Sequence, residues 1–191
     1  DDNDGVLDIN DACQFVYGTY CHGCPIPSCQ QGYAPSCPVT GAPVCVNALA
    51  CIIPQSNLII NSNTTFCSGI YSLSNPISIQ GDNIKINCNE TTFNGANMNT
   101  YLFYINSRKG VTISNCVFEK FSFGVISLNN VNNSILLNNT FKNNPLNFAL
   151  TVYWDTYNNL IENNSFLNNT RAFDIEGSFN TKVLNNLFEK N

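Results

Sequence analysis

Between residue 57 and the last residue, one short phrase recurs six times: an apolar, β-branched stretch, an asparagine-rich corner, then a phenylalanine. LIINSNTTF ends at Phe66, IKINCNETTF at Phe93, VTISNCVF at Phe118, ILLNNTF at Phe141, LIENNSF at Phe166 and KVLNNLF at Phe188. Successive phenylalanines therefore stand 27, 25, 23, 25 and 22 residues apart. A drifting period in the twenties is that of a solenoid, whose units bury an apolar face only by stacking on one another.

The units are strands rather than helices. Strand-formers crowd each one, while Asn, Ser, Thr and Gly fill the corners, and both facts disfavour helix. Five residues before the Phe stand Ile113, Leu136, Ile161 and Val183, an inward-pointing column. Three before it stand Asn115, Asn138, Asn163 and Asn185. Stacked at the spacing of a sheet, about 4.8 Å, this asparagine column is expected to bond amide to amide along the axis. Asn also tolerates the left-handed backbone of a tight corner. A second strand follows each Phe, beginning at Tyr101, Phe123, Phe148 and Ala172. The fold class is thus all-β, a solenoid of about six rungs.

The N-N-x-F corners at Asn138, Asn163 and Asn185, with a variant at Asn115 where Cys116 replaces the second Asn, resemble those of the right-handed parallel β-helix family. This is the pectin-lyase-like superfold with NosD-like or PbH1-type repeats. The resemblance covers roughly residues 56–191 and implies a fold, not an activity. Leucine-rich repeats also carry an asparagine ladder, but their L-x-x-L-x-L strand is missing here.

Composition divides the chain into an acidic lead (1–12), a Cys/Pro-rich module (13–55) and the solenoid (56–191). Seven cysteines (Cys13, Cys21, Cys24, Cys29, Cys37, Cys45 and Cys51) precede residue 52, and residues 13–55 hold six of the eight prolines. That density predicts a disulfide framework made in an oxidising compartment. Cys67, Cys88 and Cys116 bring the total to ten, all expected to be oxidised. Cys88 and Cys116 occupy related places in adjacent rungs, where they bond or simply fill core. Six N-x-S/T sequons, at Asn63, Asn89, Asn132, Asn138, Asn163 and Asn168, fit an exported glycoprotein. The opening DDNDG, without Met, predicts a mature chain whose signal peptide has been removed. The longest apolar run, residues 48–53, is too short to span a bilayer. A formal charge of -5, with every Lys and Arg at or after Lys85, argues against a nucleic-acid partner.

Catalytic residues are hard to assemble from this sequence. Asp174 and Glu176 stand two apart on a strand with Arg171 nearby, and glycoside hydrolysis uses paired carboxylates. Alternation with Phe173 and Ile175 puts them on the outside, where charges sit simply to be solvated. Cys21, His22, Cys24 and Cys29 have metal-ligand chemistry, but without a second C-x2-C they are expected to be disulfides beside the only histidine. Asp2, Asp4, Gly5, Asp8 and Asp11 resemble part of a calcium loop of dockerin-like or thrombospondin type 3 repeats. Its first ligand position is missing, so a solvated acidic lead is the simpler expectation. No other cofactor is implied. Tyr153, Trp154 and Tyr157 cluster near a corner as a candidate sugar platform.

The expectation for function is an extracellular, non-enzymatic structural protein that stacks head to tail into a filament, sheath or layer. Leu184, Leu187 and Phe188 of the last rung would form the contact, because an open solenoid end exposes apolar atoms and strand groups. The alternative is a polysaccharide-binding or adhesive surface module, with a lyase or glycosidase behind it.

Overall fold

The computed structural model describes two strands near the N-terminus, Tyr33–Ser36 and Val44–Asn47, and residues 51–191 except 97, 146 and 147. The calcium-like lead, Cys13 to Cys37, His22 and the side chain of Cys45 lie outside the described residues. The chain divides into two units, 1–51 and 52–191. In the first, the two strands pair antiparallel, with Pro35 opposite Cys45.

The second unit is a parallel β-solenoid of about six turns, with no helix among the described residues. Three sheets run along its axis. Sheet I comprises Ile59–Ile60, Ile77–Ile79, Phe103–Asn106, Ile126–Asn129, Phe148–Tyr157 and Arg171–Phe179. Sheet II comprises Cys51–Ile52, Thr64–Phe66, Lys85–Asn87, Thr112–Ser114, Ile135–Leu137, Leu160–Glu162 and Lys182–Leu184. Sheet III comprises Ile70–Ser72, Thr92–Asn94, Val117–Glu119, Thr140–Lys142, Ser165–Leu167 and Leu187–Glu189. Most strands are three or four residues long and bury their alternate side chains. Three flat faces and three corners therefore enclose one apolar column.

The core follows the expected register. Ile113, Leu136, Ile161 and Val183 pair in line on sheet II. On sheet III, Phe93, Phe118, Phe141, Phe166 and Phe188 stack with ring centroids 4.8 to 5.8 Å apart. The first repeat is different. The partner of Phe93 in the preceding coil is Tyr71, whereas Thr64–Phe66 pairs in sheet II with Lys85–Asn87. Phe66 still enters the core, edge-on to Phe93 at 5.6 Å, but from a neighbouring face. The 27-residue spacing thus joins two different faces, and the interval from Tyr71 to Phe93 restores a regular coil.

The asparagine ladder lies one residue further on than the sequence suggested. Asn115, Asn138, Asn163 and Asn185 adopt left-handed backbone, with φ of 53 to 56°. Asn138 and Asn163 are exposed, while the next residue turns inward and is buried. Asn139 Nδ2 donates to Asn164 Oδ1, and Asn164 Nδ2 to Asn186 Oδ1, each at 3.0 Å. The same acceptors take the backbone N–H of the asparagine one coil earlier. A second ladder, Asn144 to Asn169 to Asn191, caps the corner after sheet III. At the third corner Asn159 accepts the N–H of Ser134, whose hydroxyl accepts that of Val111. In the asparagine-bearing coils each corner therefore sets a left-handed residue before an inward hydrogen-bonding one, whereas Gly110 and Lys120 precede the buried apolar Val111 and Phe121. The left-handed turn reverses the face of the following residue, which is why the ladder shifts by one.

Candidate functional site

Sheet I carries the most elaborate outer surface. Its inward rows include Phe103, Ile126, Leu150 and Phe173. One outward row reads Ser78, Tyr104, Ser127, Thr151 and Asp174, and a second reads Asn106, Asn129, Tyr153 and Glu176. Ser127 and Thr151 point outward yet are buried. Tyr101 lies against this surface, its hydroxyl 3.4 Å from the Thr151 hydroxyl that donates to it. Gly124 permits that placement, since a Cβ there would come within 2.4 Å of the Tyr101 ring. Tyr101 stacks with Tyr104 at 6.4 Å and meets Phe123 edge-on at 5.2 Å. Tyr104 and Phe123 are nevertheless 47% and 41% exposed, so the layer presents aromatic surface to solvent.

Beside this layer Tyr153 donates its hydroxyl proton to Asp174 Oδ2 at 2.8 Å. Burial, and then the Asp174 carboxylate as acceptor and as charge, push the Tyr153 phenol up to about 12. Asp174 and Glu176 share the outer face, about 6.6 Å apart along the strand at 3.3 Å per residue. Arg171 does not join them. Its guanidinium sits over the Phe148 ring at 5.0 Å, and no ion pair links it to either carboxylate among the described residues.

At the end of this face the strand Phe148–Tyr157 contains a bulge. Pairing with Arg171–Phe179 slips between Tyr153 and Thr156, placing Trp154 and Asp155 opposite Gly177. Trp154, Asp155 and Gly177 all have positive φ, at 46, 50 and 65°. Left-handed backbone is costly for a residue as large as Trp, and such bulges re-aim side chains. Here the result is a Trp154 side chain that is 65% exposed. Tyr157 instead stacks on Phe179 at 5.2 Å, which separates it from the expected Tyr153–Trp154–Tyr157 platform.

Other expected residues fall elsewhere. Cys88 and Cys116 form a disulfide between adjacent coils, and Cys51 and Cys67 are also disulfide-bonded. Asn63, Asn89, Asn138, Asn163 and Asn168 are exposed, and Asn132 is half-buried with its Oδ1 accepting the Tyr157 N–H. Leu184, Leu187 and Phe188 are exposed in the last coil of the sequence. Among the described residues no three His, Cys, Asp or Glu side chains gather as a metal site, and no helix is long and apolar enough to cross a membrane. The Tyr101–Tyr104–Phe123 layer was not anticipated. Its signal is the parity of YLFYI, which turns Tyr104 outward when Phe103 and Ile105 face in.

Residues 50–191 match the family described as the right handed beta helix region, and the chain belongs to that family. Among solved structures it is similar to a candidate glycosyl hydrolase from Parabacteroides merdae ATCC 43184, at 12% identity and a TM-score of 0.57 over 70% of this chain and 75% of that one. At such identity the likeness is one of fold. No curated protein matches the chain significantly.

Proposed function

We propose that the protein binds a polysaccharide along the outer face of sheet I, as an extracellular module. The observation that carries this reading is the aromatic layer of Tyr101, Tyr104 and Phe123 laid over Ser127 and Thr151. Aromatic faces pack against the C–H faces of sugar rings, while neighbouring amides and carboxylates bond hydroxyls. Asn106, Asn129 and Glu176 supply those polar groups, and Trp154 stands at the rim. Disulfides and exposed sequons support an exported setting.

The same geometry favours binding over cleavage. Hydrolysis uses one carboxyl group as proton donor and a second as base or nucleophile, whereas Asp174 is already engaged as an acceptor by the Tyr153 hydroxyl and Arg171 does not join the pair. Affinity electrophoresis in gels containing single polysaccharides, with a reducing-end assay on the same samples, tests both parts. Retardation by at least one polysaccharide, lost in Tyr104→Ala and Phe123→Ala, is expected without new reducing ends. Reducing ends that vanish in Asp174→Asn would make the protein a polysaccharide-cleaving enzyme instead, a lyase if the products absorb as unsaturated sugars and a glycosidase if they do not. Unchanged retardation in both aromatic variants would remove sheet I as the binding face.

A further inference from the structure

The corner between sheets I and II departs from the asparagine pattern in one coil, where it reads Ser107-Arg108-Lys109-Gly110. Lys109 stands in register with Asn132 and Tyr157, so Arg108, one residue earlier, shares its column with Val131 and Thr156. Those two side chains are fully buried. An arginine therefore occupies a column that the next coils give to core, yet its side chain remains 35% exposed. Its Nε is buried and, among the described residues, has no hydrogen-bond partner. The carboxylate beside it, Asp82 Oδ1, is 4.0 Å from Nη1 and already accepts the Lys109 backbone N–H at 3.1 Å.

A cleft of about 250 Å³ opens here, lined by Asp82, Ser107, Arg108, Lys109, Asn130 and Asn132. Its polar groups are predominantly donors. Among the described residues the Lys109 ammonium forms no ion pair, and Asn132 hydrogen-bonds through its Oδ1 and not through its Nδ2. Two cations against one carboxylate leave the cleft net positive in a chain of net charge -5. With its Nε closed off from solvent, the Arg108 guanidinium meets a ligand through its open terminal nitrogens, to which a planar or tetrahedral oxyanion presents two or more oxygens at once.

We infer that this corner cleft is an oxyanion site, in which the terminal nitrogens of the Arg108 guanidinium, the Lys109 ammonium and Asn132 Nδ2 hold a carboxylate or sulfate group. The group is either a free anion or a substituent of an acidic sugar. The inference stands on Arg108 and its cleft alone, so it survives or fails independently of the aromatic face.

The sequence holds two arginines, Arg108 and Arg171, so the Nε–H region of an ¹⁵N spectrum contains two side-chain signals that Arg171→Lys assigns at once. The intact protein is titrated with sodium sulfate, sodium glucuronate and glucose at constant ionic strength. Sulfate or glucuronate should move the Arg108 signal saturably while Arg171 stays still, and glucose should move neither. Tighter binding of glucuronate assigns the sugar carboxylate, and tighter binding of sulfate assigns the sulfate group. Lys109→Gln should weaken binding about tenfold or more, the worth of one charge-assisted hydrogen bond, and Asp82→Asn should tighten it. A silent Arg108 signal, equal shifts at both arginines, or unchanged affinity in Lys109→Gln would each overturn the site.

Discussion

Asn163 and Asn164 are the same side chain in adjacent positions with different work to do. Asn163 is exposed and needed for its φ of 54°, whereas Asn164 is buried and bonds Asn139, Asn186 and the Leu136 carbonyl. Asn164→Ala should cost about 3 kcal/mol or more, since several buried groups lose partners at roughly 1 to 3 kcal/mol each. Asn163→Ala should cost only about 1 kcal/mol for left-handed backbone, and Asn163→Gly close to nothing. Equilibrium unfolding in denaturant ranks the three variants, and equal losses would contradict the assignment of the ladder. Tyr153 makes a second prediction at this scale. Its phenol titrates at about 12 in the folded protein against about 10 when unfolded, so the folded state holds the proton more tightly. The stability this contributes is fully present below pH 10 and is lost as pH rises from there towards about 12. Alkaline unfolding followed by phenolate absorbance should show that loss in the wild type and not in Tyr153→Phe.

The disulfide between Cys88 and Cys116 stands where the first inward ladder ends. Cys116 takes the inward place held by Asn139 in the next coil, and its N–H is capped by Asn139 Oδ1. Covalent bonding across coils thus replaces amide pairing there. Linking residues 28 apart, it should be worth about 3 to 4 kcal/mol on loop-entropy grounds, measured by comparing the wild type with Cys88→Ala/Cys116→Ala in denaturant. In sheet I, Gly124→Ala should displace the Tyr101 ring, whose Cε1 and Cδ1 a Cβ would meet at 2.4 and 2.8 Å, and press more gently on the Phe148 carbonyl of the next coil at 3.2 Å. Near-ultraviolet circular dichroism should change, and polysaccharide retardation should fall, without loss of far-ultraviolet signal. These elements also mark how far the residues alone could be read. The β period, the Ile113 and Phe118 columns and the left-handed asparagines were legible because they repeat in sequence. The ladder was misplaced because a left-handed residue flips facing, a change that simple strand alternation does not register. Phe66 was misaligned because TTF occurs on two faces. The aromatic layer and the Arg108 cleft escaped because each occurs once, assembled from several coils, and a repeat search averages such features away.

Across the whole solenoid, each coil touches mainly the ones before and after it, so stability is a sum of coil and interface terms. End-to-end assembly, the expectation drawn from Leu184, Leu187 and Phe188, belongs to this scale and is tested by light scattering on wild type and Phe188→Asp at equal concentration. Assembly predicts a lower mass for the variant, and equal masses dispose of the filament reading. Phe188 also stacks on Phe166 at 5.1 Å, so Phe188→Ser, checked for folding, separates lost contact from a frayed coil. The constant register of the three sheets has a genetic corollary. Leu136 lies over Ile113 and Ile161 lies over Leu136, with the same corner geometry each time, so the repeat is interchangeable at its boundaries. In-frame duplication of a segment such as 135–159 would insert one more coil and lengthen the solenoid by about 4.8 Å, replacing each strand pairing at the insertion by one of the same register. Such a gene can change the reach of its product by unequal recombination, one coil at a time.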